Sequence, residues 1–296
     1  MKNLYPYFTQ NPLDRLDQVR RNEDEIKKLE SLNSSLFLLL VNDNVIFNKK
    51  NKKCFFTKSE LKQLNISDEN IVLLGRHNNI NYFALTFKNE LSEPFTKVSL
   101  RDFVDNDFLK ENKLGILAQA TCLLNWHESH QYCPSCGGKT VMGHAGWRRD
   151  CQVCHRQHFP KVEPVVIMNV THGDYCLLGH GVKFKHNRYS CLAGFMESGE
   201  SIEDAARREL YEEAGVIGLE VKYMMSQPWP FPSTLMIGLH IEAQDKKLTI
   251  DTHELNDAKW VHKDDIKALL KGDESFGFSL PNKIAIARNL LEIWVN

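Results

Sequence analysis

The sequence predicts an α+β protein in three parts: an N-terminal mixed α/β domain over residues 1–112, a connecting helix and cysteine-bearing segment over 113–160, and a strand–helix domain over 161–296. Three observations predict it. Apolar residues come in short runs separated by turn formers, the pattern of strands. Helical periodicity replaces that pattern in a few longer stretches. Four of the eight cysteines crowd into residues 133–154.

The elements follow in order. Leu13 to Leu32 is densely charged and reads as a helix. Leu36–Val41, Ile71–Leu74 and Tyr82–Phe87 read as strands broken by Asn- and Asp-rich turns. Nothing among these residues forms a catalytic constellation, so the first part is expected to be a scaffold or dimerisation domain. Leu114 to Trp126 reads as an apolar helix running into the cysteines. Beyond Pro160, strands are expected at Pro164–Val170, Tyr175–Leu178, Leu219–Met225 and Leu235–Ala243, and helices at Ser201–Ala214, Lys263–Leu270 and Asn282–Trp294. No internal repeat and no low-complexity tract is visible.

Composition excludes several classes. The chain is 42% hydrophobic and 25% charged, with 37 basic against 38 acidic residues. Such a chain buries ordinary cores and carries no global field to recruit nucleic acid or a membrane. An anionic substrate must be captured locally. No apolar run is long enough to span a bilayer, the opening MKNLYPYFTQNPLDR lacks a secretory layout, and Leu291–Asn296 holds no peroxisomal tripeptide. The expected compartment is the cytoplasm.

Cys133 and Cys136, then Cys151 and Cys154, form two C-x2-C knuckles fourteen residues apart. Two residues between ligands let one tight turn aim both sulfurs at a point, and two such turns supply a closed tetrahedral Zn²⁺ site. Gly137 and Gly138 provide permissive backbone. A redox pair is the competing reading, but redox motifs are not usually doubled at ribbon spacing. With no open position the zinc is expected to be structural. Trp147-Arg148-Arg149 between the knuckles is a solvated turn or a short nucleic-acid contact. Cys54, Cys122, Cys176 and Cys191 stand in apolar surroundings as small core residues.

Ser201 with Asp204 starts a helix, Ala205, Ala206 and Leu210 favour it, and Gly215 stops it. Glu209, Glu212 and Glu213 then share one face at i, i+3 and i+4. Either they are a solvated acidic face, with Arg207 and Arg208 as partners, or they hold a hard divalent cation, Mg²⁺ or Mn²⁺. Downstream, Ser226, Gln227, Pro228, Trp229, Pro230, Phe231, Pro232 and Ser233 precede Thr234. Three prolines forbid a regular central strand there. The loop is a stacking platform for a flat base or a proline-rich turn with core aromatics.

The run Gly194, five residues, Glu200, seven residues, then Arg208-Glu209-Leu210-x-Glu212-Glu213-x-Gly215-Val216 resembles the Nudix box at every defined position. The proline loop, and the four-cysteine ribbon placed directly before the box, are similar to the NADH pyrophosphatases of that family. The resemblance covers roughly Leu114 to Trp294, with a looser match at Phe8-x-x-Asn11-Pro12-Leu13-Asp14-Arg15. It implies a Nudix α/β/α sandwich, preceded by the zinc ribbon, that binds Mg²⁺ or Mn²⁺ and hydrolyses NADH or NAD to nicotinamide mononucleotide and AMP. Removal of NAD caps from RNA and a homodimer are implied with it. Glu209 and Glu213 would be metal ligands with the Ala193 carbonyl and Glu254, and Glu212 would project towards the metals. Glu213 would be the general base, Arg208 would orient the carboxylates, and Glu200 would brace the loop. Phe195 and Phe159 would flank the nicotinamide, the latter across the dimer, where the family usually has tyrosine. Gln227 to Thr234 would line the substrate, and Ala287 would sit near the adenine. The rival readings are a Nudix hydrolase of another dinucleotide, such as ADP-ribose, FAD or CoA, and a non-catalytic zinc-ribbon nucleic-acid binder.

Overall fold

The computed structural model describes residues 5–41, 43–64, 66, 70–87, 92–106, 108–109, 111–184 and 187–296, the side chain of Glu111 excepted. The chain divides into two compact units, one of Phe8–Val162 with Trp229–Ser233, the other of Met1–Tyr7, Glu163–Pro228 and Thr234–Asn296.

In the first unit the predicted helix over Leu13–Leu32 is shorter than expected. Asp14 exchanges backbone hydrogen bonds with Arg76, Leu16 takes a left-handed φ of 50°, and Val19–Arg21 forms only a 3-10 turn. The helix α1 (Glu23–Ser31) starts where the Asn22 side chain accepts the Asp24 and Glu25 N–H groups. The sheet that follows comprises β1 (Leu36–Val41), β2 (Asn44–Asn48), β3 (Phe55–Thr57), β4 (Val72–His77), β5 (Ile80–Thr86) and β6 (Phe95–Ser99). Its order is β4-β5-β1-β2-β6, with β3 also on β1. Helix α2 (Lys58–Gln63) follows β3, and α3 (Leu100–Asp105) follows β6. Both begin with capping boxes, at Thr57/Glu60 and Ser99/Asp102. Phe37, Leu39, Phe56, Leu61, Phe83 and Leu85 fill one face of the sheet. Helix α4 (Glu111–Ser129) packs against β1, β4 and β5. The ribbon is a three-stranded sheet of β7 (Thr140–Gly143), β8 (Arg148–Cys151) and β9 (Gln157–His158).

The second unit is an α/β/α sandwich. Its strands are β10 (Glu163–His172), β11 (Tyr175–Gly181), β12 (Leu192–Phe195), β13 (Gly218–Trp229), β14 (Thr234–Ala243) and β15 (Leu255–His262). Alternation along β10 aims Val166, Met168 and Val170 at helix α5 (Ile202–Ala214), where they meet Ala205, Ala206, Leu210 and Ala214. Ile167 points to the other face, towards α6 (Lys263–Leu270) and α7 (Ile286–Val295), where Ile266, Leu290 and Leu291 close the core. Among the predicted strands, the one over Leu219–Met225 proves longer: β13 runs on through Pro228. It can do so because it is the edge strand of the order β13-β14-β10-β11-β15, where a missing N–H costs no ladder bond.

No internal repeat is visible in the residues, but the strand order is repeated. The second sheet reads β13-β14-β10-β11-β15 with β12 on β10, element for element the order of the first. In each, the central strand pairs in parallel with one neighbour (β1 with β5, β10 with β14) and antiparallel with two others along different halves. The repeat is one of strand order and burial alternation, which many apolar side chains satisfy equally, so it left no periodic signature in the residues themselves.

Candidate active site

Helix α5 carries the acidic face. The Ser201 hydroxyl accepts the Asp204 N–H at 3.1 Å and donates to the Asp204 carboxylate at 2.8 Å, which fixes the first turn. At the other end Gly215 adopts φ 67° and gives its N–H to the Tyr211 carbonyl. Between them, Glu209 and Glu213 turn inward and are 8% and 5% exposed, while Glu212 lies on the outer flank with its side chain 57% exposed.

The seat for Glu209 is Gly194 on β12. A Cβ there would lie 1.8 Å from the Glu209 Cδ and 2.0 Å and 2.2 Å from its oxygens. Only a glycine leaves room for the carboxylate, a physical reason for the residue that opens the box. Arg208 ties the surroundings together. Its guanidinium donates to both Glu200 oxygens (3.0 and 2.7 Å), to Glu209 and Glu212 (2.9 Å each) and to the Phe195 carbonyl (2.9 Å). Arg208 and the Glu197 N–H hold the Glu200 carboxyl down at about 2. Burial raises Glu209, with Arg208 opposing the rise. Burial, then the charges of Glu209 and Glu254, push Glu213 up to about 8.

Glu254 reaches the same place by a different route. The turn at Asp251 takes the N–H groups of Glu254 and Leu255, and Asp251 itself donates to the Glu213 carbonyl at 3.0 Å. The Glu254 carbonyl accepts from Val182 at 3.0 Å, just past a bulge in the β11–β15 pairing. A cleft of about 420 Å³ results, lined by Ala193, Glu213 and Glu254 together with Lys183, Phe184 and His253. The last three escaped the sequence reading, since loop residues carry no periodicity; a basic–aromatic pair beside the Gly179/Gly181 run was the available signal. Crowded carboxylates with one guanidinium among them, and oxygen donors throughout, fit a hard divalent cation.

The cysteines also fit their metal. All four Sγ atoms lie within 4.8 Å of one another, with Cys133–Cys154 at 3.7 Å and Cys136–Cys151 at 3.5 Å. A tetrahedron with Zn–S of about 2.3 Å has edges of about 3.8 Å. No disulfide forms among the eight cysteines. Val153 and Cys154 give their N–H groups to the Cys151 sulfur at 3.4 Å each, which lowers that thiol to about 6. Gly137 sits at φ 72°, and a Cβ on Gly138 would strike Val153. Among the described residues this quartet is the one tight cluster of metal-capable side chains.

The remaining predicted residues divide. Phe195 and Phe159 present exposed rings, 59% and 55% accessible, each in its own unit. Trp229 and Phe231 instead pack edge-on with Phe8 at 6.5 and 6.2 Å, and Arg101 covers both rings. They are half-buried, and Pro230 is buried. Pro232 is exposed, and Ser233 donates to the Lys161 carbonyl. Gln227 does not offer its side chain as a lining group. It is fully buried, its amide donating to the Tyr7 and Ile284 carbonyls and accepting the Ile286 N–H, so its hydrogen-bonding capacity goes to the chain itself. Pro228 stays half-buried in β13, and Thr234 is buried at the start of β14. Ala287 is 1% exposed in the α7 core, its carbonyl facing the Cys191 sulfur.

Residues 160–279 match the NUDIX domain, residues 34–126 the NADH pyrophosphatase-like rudimentary NUDIX domain, and residues 128–159 the NADH pyrophosphatase zinc ribbon domain. The human protein named NAD-capped RNA hydrolase NUDT12 is 33% identical over 337 residues, an alignment covering 98% of this chain and 73% of that protein. The chain belongs to the NADH pyrophosphatase family of Nudix hydrolases. Two further relatives align over about three-fifths of the chain. The human protein named NAD(P)H pyrophosphatase NUDT13, mitochondrial, is 36% identical over 63% of this chain and 56% of its own length. The Mycobacterium bovis protein named NAD-capped RNA hydrolase NudC is 36% identical over 60% of this chain and 59% of its own. A Nudix hydrolase is an enzyme that works with a divalent metal. Among the described residues no helix is long and apolar enough to cross a membrane.

Proposed function

We propose that this enzyme hydrolyses the pyrophosphate bond of NADH and NAD to nicotinamide mononucleotide and AMP, and that it accepts NAD-capped RNA as well. The observation that carries the proposal is the buried pair Glu209 and Glu213 facing Glu254, in a chain matched over 98% of its length by a relative named for NAD-capped RNA. The relative named for NAD(P)H supports the dinucleotide itself as a substrate.

In this reading Glu209, Glu213, Glu254 and the Ala193 carbonyl hold Mg²⁺ or Mn²⁺. When bound, such cations screen the pyrophosphate charge, polarise a P–O bond and acidify a coordinated water. The chain's own residues do the rest. Arg208 fixes the Glu209 carboxylate, and Glu200 braces Arg208 and the Glu197 N–H, so the donor geometry is set before substrate arrives. Glu213, lining the cleft beside Ala193 and Glu254, accepts the proton of the attacking water at its carboxylate. Phe195, exposed at the end of β12, stacks on the nicotinamide, and Phe159 does so from a partner subunit in a homodimer.

The test is turnover of purified protein with NADH, NAD and an NAD-capped oligonucleotide in Mg²⁺ or Mn²⁺, with AMP and nicotinamide mononucleotide resolved chromatographically. Glu213→Gln is expected to keep its fold and lose at least about 100-fold in kcat. Near-normal turnover in that variant would refute the assignment, and preference for ADP-ribose or FAD would redirect the substrate. Light scattering of the full chain tests the homodimer. The name of the NUDT13 relative includes mitochondrial, so the cytoplasm assigned from sequence is tested by fractionating source cells.

A further inference from the structure

We infer that the cleft between α4 and the zinc ribbon is a second binding site, for a small phosphorylated ligand whose phosphate rests against Arg149 and Lys139. The cleft measures about 510 Å³, within the range of small-molecule sites. Phe87 and Leu124 give it an apolar wall, while His127, Thr140, Lys139 and Arg149 supply polar groups and Glu128 stands on its rim.

Arg149 is the unusual member. It is 8% exposed, and its partners are all neutral: the Thr140 hydroxyl at 2.7 Å, the Thr140 carbonyl at 2.9 Å and His127 Nδ1 at 3.0 Å. His127 is neutral for a geometric reason. Its Nε2 lies 2.7 Å from the Gly146 carbonyl, which can only accept, so the proton sits on Nε2 and Nδ1 is left to receive the Arg149 N–H. Among the described residues no carboxylate pairs with Arg149. The adjacent Arg148 does have one, binding Asp150 at 3.1 and 2.9 Å.

A buried guanidinium without a counter-charge is costly, and bracing Thr140 does not require a cation. Three of its five N–H donors are used and two remain, on a side chain that lines the cleft. A phosphate accepts two parallel N–H groups from a guanidinium and a third contact from an ammonium, which Lys139, exposed at the mouth, can supply. The ligand class follows from what surrounds the pair. One compact cleft with two cations suits a single phosphate on a small molecule. A nucleic-acid chain would call for a longer basic stripe.

Full-length protein, titrated calorimetrically with inorganic phosphate and with ribose 5-phosphate and without added divalent cation, is expected to bind one equivalent at sub-millimolar concentration. Lys139→Ala should weaken that binding about tenfold, and Arg149→Lys should weaken it as well by losing the paired donors, while Glu213→Gln leaves it unchanged. NADH hydrolysis by Lys139→Ala is expected at the wild-type rate, which separates this site from the catalytic one. Absence of binding up to ten millimolar, equal affinity in Lys139→Ala, or loss of binding in Glu213→Gln would each overturn the inference. So would binding of a short single-stranded RNA with none of either small phosphate.

Discussion

Gly194→Ala isolates one geometric requirement of the acidic site. The position has no left-handed φ, so alanine suits its backbone, and the substitution adds a single methyl group. That methyl would stand 1.8 Å from the Glu209 Cδ, against an ordinary carbon contact of about 3.4–4 Å. The carboxylate must therefore retreat by more than about 1.5 Å. It is the far end of a flexible side chain, so the fold can yield by rotating it, and the loss of stability should stay within about 2 kcal/mol. The chemistry is less forgiving, because a displacement of about 1 Å in a positioned group costs on the order of 100-fold in rate. That is about 2.7 kcal/mol at 1.36 kcal/mol per factor of ten. The expected outcome is a melting temperature within a few degrees of the parent, kcat/KM for NADH reduced at least 100-fold, and weaker Mn²⁺ binding by electron paramagnetic resonance. Wild-type turnover in Gly194→Ala would refute the argument that Glu209 must occupy the space above that Cα.

Other outcomes follow from the same structure. Gln227→Leu strips partners from the Tyr7 and Ile284 carbonyls and the Ile286 N–H, at about 1 kcal/mol each, so thermal denaturation should show a loss of about 3 kcal/mol with KM little changed; raised KM at unchanged stability would restore a substrate role to the amide. His127, lowered to about 4 from an ordinary 6.5 by burial and then by Arg149, stays neutral in the fold while the unfolded chain takes up a proton. The His127 contribution to stability should be constant above pH 6.5, fall by about 3 kcal/mol between pH 6.5 and 4, and level off below; it is read as the difference between the pH profiles of the parent and His127→Gln, and identical pH slopes in the two would contradict the assignment. About one zinc per chain should survive mild chelation that abolishes Mg²⁺-dependent turnover, while Cys151→Ser should lose the zinc and lower the melting temperature by many degrees; metal analysis without zinc in intact protein would end that assignment.

The parts of this molecule that were legible in sequence are those in which a short stretch carries its own geometry. Ser201 through Gly215 announce a helix start, a face and a stop within fifteen residues, and the structure uses each signal where it stands. The knuckles are legible for the same reason, since two intervening residues dictate where the sulfurs point. Strands completed by distant partners were harder to read. β12, four residues long, takes its register from Ile167 and Met168 some twenty-five residues away, and β15 from β11. The proline loop was legible only in part. Three prolines argue against a central strand, and β13 is indeed at the edge of its sheet, but it continues through Pro228 where a loop was expected, because sequence gives no sign of which strand is outermost. Gln227, expected to line the substrate, turned inward because the polar groups it satisfies, at Tyr7, Ile284 and Ile286, lie 220, 57 and 59 residues away.

The duplicated sheet order sharpens what the chemistry requires. In the first sheet, α2 follows β3 as α5 follows β12 in the second, so the same topology places a helix in the corresponding position. Helix α2 is six residues long, too short to present carboxylates at i and i+4 behind a capping turn. Its single glutamate, Glu60, is spent on Lys53 and on the Thr57 capping box. No arginine within α2 matches Arg208, and the strand before it, Phe55–Phe56–Thr57, has no glycine, whereas β12 has Gly194. Sheet order alone therefore does not make a hydrolase. The second unit acquires one because a thirteen-residue helix, a guanidinium and a missing Cβ coincide at one point on an otherwise repeated frame.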